Sequence, residues 1–221
     1  MSKILVICAH PDDETLGMGG TIAWHVSKKD QVYVIIMADG QFSRDQTKKG
    51  IAVRQDQAKK ACSHLGVKKV YFLNYPDQKL DTFPLSEISN KLANLIKKIN
   101  PTTVYTHFWG DVNQDHRYTF DATLIATRPL PSSKIEKLIC FETPSSTEWG
   151  YPHQQFSPNL FVDVKRFMDK KLKAFSQYKF EIEKYPHPRS KESLMSRSKY
   201  WGSLNGIENA ESFYIVREHL K

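Results

Sequence analysis

A run of five apolar residues, Ile4 to Cys8, leads directly into the segment Ala9-His10-Pro11-Asp12-Asp13-Glu14. A short, continuously apolar run that ends in a polar turn predicts a strand buried on both faces, as in a parallel sheet. Three carboxylates crowd onto this turn, where they repel each other and resist transfer out of water. Because a divalent metal ion is the simplest counter-charge, the segment predicts a metal site at the end of the first strand.

Apolar runs rich in β-branched residues alternate with stretches whose apolar residues recur at helix spacing. Such alternation predicts an α/β fold, Rossmann-like with three α/β/α layers and a mainly parallel sheet, and we expect a single domain over residues 1–221. The predicted strands are Lys3 to Cys8, Gln31 to Met37, Lys69 to Leu73, Thr102 to Thr106, Lys137 to Phe141 and Asn159 to Val164. The predicted helices are Thr15 to Lys28, Ile51 to Leu65, Leu85 to Ile99, Tyr118 to Thr127, Asp163 to Tyr178 and Ser190 to Trp201.

The formal charge of the chain is +8 at pH 7, but many of its lysines are spread along the sequence in pairs. Scattered pairs are typical of a solvated surface, so we expect no nucleic-acid site. The three cysteines lack metal-binding spacing, which indicates free thiols in a reducing compartment. Because no apolar run approaches the roughly 18 residues of a membrane span, we expect a cytoplasmic protein without a membrane partner. The sequence leaves the oligomeric state open, and a homo-oligomer is compatible with it.

Ligands of parallel α/β sheets bind outside the carboxyl ends of the strands, commonly between the first and fourth strands, where the strand order reverses. The acidic turn follows the first predicted strand, and the His- and Asp-rich segment Thr106 to Arg117 follows the fourth. A catalytic zinc takes about three nitrogen or oxygen ligands and keeps one position for water. We therefore expect His10, Asp13 and His116 to converge on one metal ion.

Asp12 is then left beside the metal without a ligand role, and a free carboxylate there can accept a proton from water. Asp12 is accordingly the candidate general base. A plainer interpretation is that Asp12 or Glu14 caps the helix that begins near Thr15, since acids favour exposed amide groups. For His116 the plain alternative is a hydrogen-bonded surface histidine.

These two segments resemble the zinc-dependent N-acetylglucosaminyl deacetylases of the LmbE-like, or PIG-L, superfamily. The resemblance is carried by residues 9–14 and by the Asp-x-Asn-x-Asp-His-Arg motif of residues 111–117, and it extends more loosely over most of the chain. It implies that His10, Asp13 and His116 are the zinc ligands and that Asp12 is the base. It also implies that Arg54 holds the substrate and that Asp115 is a supporting carboxylate beside the last ligand.

Asn113 stands where many members of that superfamily have a histidine that assists the oxyanion. An amide can donate a hydrogen bond to an oxyanion, but it brings neither positive charge nor a proton. His107, near the end of the fourth strand, is a second candidate electrophile, or else a histidine bonded to backbone. Asp77 is a candidate acceptor for a sugar hydroxyl, although Pro-Asp also marks turns. His187, in a proline-rich loop, is a candidate substrate contact or part of a rigid turn.

Three aromatic residues, Trp109, Trp149 and Tyr151, are candidates for stacking on a sugar ring, although such residues more often fill cores and loop bases. Glycines near the first turn raise a rival interpretation, a dinucleotide-binding loop. That interpretation is weak, because G-x-G-x-x-G is absent and the acidic turn would repel a pyrophosphate.

The resemblance implies hydrolysis of the N-acetyl group of a small amino sugar or its conjugate, which yields acetate and a free amine. Zinc is the expected cofactor, although two imidazoles and a carboxylate also suit ferrous iron. Two alternatives stay open, namely another metal-dependent amide or ester hydrolase and a non-catalytic metal- or sugar-binding protein. The sequence does not reveal which group carries the acetamido sugar.

Overall fold

The computed structural model describes residues 1–40 and 48–219, and the strands of this part form one sheet. The strands are β1 (Lys3–Cys8), β2 (Gln31–Ala38), β3 (Lys69–Tyr75), β4 (Thr103–His107), β5 (Lys137–Phe141), β6 (Leu160–Asp163) and β7 (Ala210–Glu218). The α-helices are α1 (Asp13–Ser27), α2 (Lys48–Leu65), α3 (Leu85–Ile99), α4 (Gln114–Ala126), α5 (Met168–Phe175) and α6 (Lys191–Ser203). None of these helices is both long and apolar enough to cross a membrane.

The strand order is β3-β2-β1-β4-β5-β7-β6, and the first five strands are parallel. This arrangement confirms the predicted α/β fold with a mainly parallel sheet. Strand β7 runs antiparallel to β5 and β6 and was not predicted from the sequence. Its signal was available in the aromatic and β-branched run Phe213 to Val216. The helix predicted over Asp163 to Tyr178 is shorter than expected, because Asp163 still belongs to β6.

Two hydrophobic cores lie on opposite faces of the sheet and explain the apolar run of β1. Ile4, Val6 and Cys8 belong to one core, together with buried residues of α1, α2 and α5. Leu5 and Ile7 belong to the other core, together with buried residues of α3 and α4. Successive side chains of a strand point to opposite faces, so a strand covered on both faces needs no polar alternation.

Helix α1 is interrupted at Met18, whose φ of −149° and ψ of 26° are not helical. A buried ion pair bridges the break, with Lys171 Nζ 2.6 Å from Glu211 Oε1. Lys171 also donates to the carbonyl of Leu16, before the break, while the Glu211 carboxylate accepts the backbone N–H groups of Gly20 and Thr21 after it. The pair therefore satisfies backbone groups that the interruption leaves without helical partners.

Candidate metal centre

Adjacent parallel strands β1 and β4 bring the two predicted segments together at the carboxyl edge of the sheet. His10 follows β1, Asp13 begins α1, and His116 lies in the first turn of α4. Asp13 Oδ2 lies 3.5 Å from His10 Nδ1 and 3.5 Å from His116 Nε2. One ligand atom from each of the three residues lies within 4.8 Å of the others, and all three residues are buried. The structure thus brings together the three predicted ligands, as a metal ion requires.

The hydrogen bonding and charge of the three candidate ligands suit a bound cation. Asp13 Oδ1 is buried and accepts no hydrogen bond from any described residue, whereas Oδ2 accepts the backbone N–H of His10 at 2.8 Å. A buried carboxylate oxygen without a partner costs free energy unless another group, such as a metal ion, takes it up. Burial lowers the pKa of His10, but hydrogen bonds to nearby carboxylates outweigh burial and raise the pKa well above its usual value. The surroundings therefore favour positive charge.

Carboxylates stand behind both imidazoles, on the side away from Asp13. His10 Nε2 lies 2.9 Å from Asp77 Oδ1 and 3.2 Å from Asp115 Oδ2. His116 Nδ1 lies 3.2 Å from Asp111 Oδ2. Histidines that bind metals commonly use their second ring nitrogen in this way, because the partner fixes the orientation of the ring. The arrangement leaves His10 Nδ1 and His116 Nε2 for a shared ion.

Asp115 contacts the first candidate ligand, His10, whereas the resemblance implies a supporting carboxylate beside the last one. Besides His10, its carboxylate accepts the backbone N–H groups of Gln78 and Leu80. Successive residues on a helix point about 100° apart, so Asp115 and its neighbour His116 leave α4 in different directions. The carboxylate that supports His116 is Asp111, which the sequence indicated only as part of a motif.

Asp111 is held by the segment that follows β5. Thr147 Oγ1 donates to Asp111 Oδ2 at 2.7 Å, and Ser146 Oγ donates to Asp111 Oδ1. Ser146 Oγ also lies 3.4 Å from His116 Nδ1. These hydroxyl groups were not predicted as site residues, since an isolated Ser-Ser-Thr sequence carries no distinctive signal.

Asp12 occupies the N-cap position of α1 with a φ of 117°, an unusual value for a residue other than glycine. Its side chain makes no capping hydrogen bond, so the capping interpretation does not describe it. The carboxylate lies 3.4 Å from Arg189 Nη1 and 3.9 Å from Arg54 Nη2, and it is 2% exposed. Burial raises the pKa of Asp12 to about 7, with Arg189 opposing the shift and Glu181 adding to it. Such a group exchanges a proton readily near neutral pH.

Glu14, the other capping candidate, has a structural role. Its Oε2 accepts the backbone N–H of Asp12 at 3.2 Å. Its Oε1 accepts the hydroxyl groups of Thr15 and Tyr178, at 2.7 Å and 2.5 Å. Glu14 therefore holds the turn in place by linking the backbone of Asp12 to the buried Tyr178.

Two arginines, Arg54 and Arg189, also contact the turn before α1. Arg54 Nη2 donates to the carbonyl of Pro11 at 2.7 Å, and its Nη1 lies 2.8 Å from Glu181 Oε1. Arg189 Nη1 lies 2.7 Å from Glu181 Oε2, and its Nε donates to Ser145 Oγ at 2.6 Å. The structure places Arg54 at the predicted site, although its contacts are to protein groups. Arg189 and Glu181 were not predicted, because their partners are remote in sequence.

His107 is fully buried, and both of its ring nitrogens have partners. Its Nε2 accepts the backbone N–H of Ala9 at 2.9 Å, and its Nδ1 lies 3.0 Å from Thr143 Oγ1. Burial, together with the charge of nearby His116, lowers the pKa of His107 to about 4, although Asp13 opposes the shift. The ring stacks on that of His116, with centroids 3.9 Å apart. This geometry favours the alternative of a backbone-bonded histidine that supports His116.

Asn113 is the N-cap of α4, and its side-chain oxygen accepts the backbone N–H of Asp115 at 2.9 Å. Its amide NH2 group is consequently the end that remains for a substrate oxygen. His187 Nδ1 accepts the backbone N–H of Arg189 at 3.1 Å, as in a structured turn. In this loop the side chain that reaches Asp12 is that of Arg189, and a substrate contact by His187 stays a prediction.

The aromatic candidates differ in their surroundings. Trp109 packs against Phe108 and Tyr214, with ring centroids 4.3 Å and 5.1 Å apart, so it belongs to the core. Trp149 and Tyr151 are exposed.

The glycines of α1 serve helix packing. A Cβ atom at Gly17 would overlap Phe141, and one at Gly20 would overlap Val164. Close packing against β5 and the segment after β6 accounts for these glycines, and the dinucleotide-binding interpretation has no support from them.

Comparison with known proteins places the arrangement in a family. The model of the PIG-L family, described as GlcNAc-PI de-N-acetylase, matches residues 5–127, which include all three candidate ligands. This chain belongs to the PIG-L family. An uncharacterized deacetylase of Escherichia coli, YaiS, is 30% identical over 80% of this PIG-L chain and 90% of its own. The diacetylchitobiose deacetylase of Thermococcus kodakarensis is 25% identical over 98% of this chain and 84% of its own.

Solved structures agree on the fold. The conserved protein TT1542 from Thermus thermophilus matches with a TM-score of 0.82 and 24% identity, over 100% of this chain and 97% of its own. GalB, the 4-carboxy-2-hydroxymuconate hydratase from Pseudomonas putida, matches with a TM-score of 0.79 and 20% identity, over 100% of this chain and 98% of its own. Because a hydratase shares the fold, the reaction of this PIG-L protein has to be argued from its site.

Proposed function

We propose that this PIG-L protein is a metal-dependent N-deacetylase that hydrolyses the N-acetyl group of an amino sugar or its conjugate, releasing acetate and a free amine. The observation that carries the proposal is the convergence of His10, Asp13 and His116, with Asp12 beside them and free of a ligand role. Membership of a family described by de-N-acetylation supports the reaction, as do relatives named as deacetylases.

His10 Nδ1, His116 Nε2 and the unpartnered Oδ1 of Asp13 would hold the ion, and we propose zinc, with ferrous iron as the chemically similar alternative. A bound ion of this type lowers the pKa of water and polarises a carbonyl oxygen. Asp77, Asp111 and Asp115 keep the two imidazoles oriented. The free cysteines, all buried, support the proposed cytoplasmic location.

Asp12 would act first as base and then as acid. As a carboxylate it accepts a proton from the attacking water, and as a carboxylic acid it donates that proton to the departing nitrogen. One group performs both steps only if its proton affinity suits both, and burial near two arginines provides this. Arg54 and Arg189 also fix the direction of the carboxylate, so a water molecule meets the same oxygen in each turnover.

Asn113 would donate its amide N–H to the oxyanion that forms from the acetyl carbonyl. Asn113 is the N-cap residue of α4, three residues before His116. Asp77, which is partly buried and bonded to His10, would also contact a sugar hydroxyl through its carboxylate. His107 has no role in moving the proton, because its ring nitrogens are already used.

Mass spectrometry tests this proposal. The protein, loaded with zinc or ferrous iron, is incubated with a panel of N-acetylated sugars, and acetate and the free amine are quantified. The same panel includes simple acetanilides and acetate esters. Hydrolysis of these compounds but not of the sugars would identify another amide or ester hydrolase. Stoichiometric bound metal without turnover of any compound would identify a non-catalytic binding protein and contradict the proposal.

A further inference from the structure

Two neighbouring cavities share a wall formed by Arg197 and Trp201 of α6. The first has a volume of about 490 Å³ and is bounded by the segment 185–188 and by α6. The second has a volume of about 410 Å³ and is bounded by residues of the segment 142–156. Both volumes fall in the range of about 300–1,000 Å³ that is usual for small-molecule sites. We name the two cavities and their shared wall the α6 groove.

The walls of the α6 groove belong to the segments that hold the metal centre. Thr147 lines the groove, and its hydroxyl donates to Asp111, the carboxylate behind His116. Pro188 lines the groove on the other side, and the next residue, Arg189, reaches Asp12. The groove is therefore linked to the metal centre through Thr147 and Asp111 on one side and through Pro188 and Arg189 on the other.

Aromatic rings with fixed polar neighbours make up much of this groove. Tyr185 and Tyr200 are 66% and 57% exposed, which is unusual for large aromatic side chains. The indole of Trp201 is held in place, because its Nε1 donates to Glu142 Oε1 at 2.6 Å. Sugar rings present apolar C–H faces to such aromatic rings and hydroxyl groups to the polar atoms around them.

The charges of the groove select against anions. Arg197 Nη1 lies 2.6 Å from Glu142 Oε2, and Nη2 lies 2.8 Å from Glu148 Oε1. These are the charged residues among the described residues that line the groove, so two carboxylates surround one guanidinium. A phosphate or carboxylate on the substrate would meet a net negative wall, whereas neutral hydroxyl groups can hydrogen-bond to all three groups.

We propose that the α6 groove binds the non-reacting sugar residues of a neutral N-acetylated oligosaccharide while one acetamido group occupies the metal centre. The inference rests on the proposed deacetylation and adds a substrate class to it. It predicts that the substrate is a neutral oligosaccharide and not a conjugate whose second part is anionic. The aromatic residues of α6 then act in substrate length selection and have no part in the reaction itself.

Substrate-length kinetics test the proposal on the metal-loaded protein. The ratio kcat/KM is measured for N-acetylglucosamine, its β-1,4-linked dimer and trimer, and N-acetylglucosamine 1-phosphate. We expect kcat/KM to rise about tenfold or more from monomer to trimer, the equivalent of at least about 1.4 kcal/mol. Trp201→Ala and Tyr200→Ala should lose most of this rise and leave kcat/KM for the monomer unchanged.

Trp24→Ala is the matched control, because Trp24 lies in the last turns of α1, at the opposite edge of the sheet. It should keep the full dependence on length. Tyr200→Ala keeps the test decisive if Trp201→Ala does not fold, since Tyr200 is exposed and removing it leaves the core intact. A higher kcat/KM for the phosphorylated monosaccharide than for the trimer would overturn the proposal.

A binding measurement separates the groove from the reaction. Cellotriose is a neutral β-1,4-linked trisaccharide without an acetyl group, so its binding by the metal-loaded protein can be followed by NMR titration without turnover. We expect Tyr200→Ala and Trp201→Ala to weaken its binding about tenfold. If no N-acetylated sugar is hydrolysed but this dependence is found, the deacetylase proposal fails and the groove proposal stands. If wild type and variants bind cellotriose equally, or not at all, the groove proposal fails.

Discussion

Asp111 Oδ2 lies 3.2 Å from His116 Nδ1 and supports that ring from behind. Burial raises the pKa of Asp111, but His116 and the hydroxyl groups of Ser146 and Thr147 outweigh burial and lower the pKa to about 2. The residue is therefore a carboxylate at any pH at which the protein works. A charged partner of this kind fixes the tautomer of an imidazole and makes it a better metal ligand.

Asp111→Asn should lower the affinity for zinc by about 10- to 100-fold, because the amide supports the imidazole less strongly than a carboxylate does. Competition against a chromophoric chelator measures the change. Asp121→Asn is the control, since it makes the same substitution on the exposed face of α4. Equal zinc affinity for both variants would contradict a supporting role of Asp111.

Asp12→Asn should keep the metal and lower kcat by about 10²- to 10⁴-fold, the usual contribution of a general acid or base. An asparagine keeps the shape of the side chain but cannot take up a proton. Metal content by elemental analysis and turnover are measured on the same sample. His116→Ala should instead lose the metal first, so the two variants separate a base from a ligand. An Asp12→Asn variant with full activity would disprove the proposed base.

Lys171→Met should lower the free energy of unfolding by about 3–5 kcal/mol, because it leaves the buried Glu211 charge without its partner. Urea denaturation measures the loss. The comparison is Lys60→Met, which removes an exposed ion pair with Asp56 on α2 and should change stability little. Similar stabilities of the two variants would show that the pair does not hold the interrupted helix.

Acid should weaken the fold in part through His25, which contacts Asp30 and Tyr105 at 3.0 Å and 3.1 Å. Burial lowers the pKa of His25 below 6.5, although Asp30 opposes the shift. Below pH 6.5 the unfolded chain binds this proton more readily than the folded one. The stability from neutral His25 is thus complete above pH 6.5 and is lost as the pH falls toward the lower folded pKa.

His25→Gln should therefore have a flatter dependence of stability on pH between about pH 7 and pH 5 than wild type. Urea midpoints at several pH values give the comparison. Parallel curves for the two proteins would exclude a contribution of His25.

The two segments that form the centre could be predicted from the sequence, because an apolar run ending in several carboxylates is locally unfavourable without a function. The meeting of His10 and His116 followed from the rule for parallel sheets, which places successive strand ends at one edge. The family resemblance added Arg54 and Asn113 as further candidates, and what they do in the reaction stays a prediction.

The supporting residues could not be found in the same way. Arg189 and Glu181 act through partners that are far away in the sequence, and a single arginine or glutamate carries no local signal. Asp111 and Asp115 could be named from the motif, but which histidine each one supports depends on helix phase and on the loop before α4. Backbone geometry in three dimensions decides that, and sequence spacing alone does not.

The interrupted helix α1 has a consequence for biosynthesis. The turn with His10 and Asp13 is translated well before Glu211, which satisfies the backbone after Met18 and lies 191 residues beyond Gly20. Domains generally fold as units, so the turn before α1 has to wait for β7. The metal would accordingly be loaded only after β7 has been made, and a nascent chain stalled before Ala210 would emerge without a stable place to keep it.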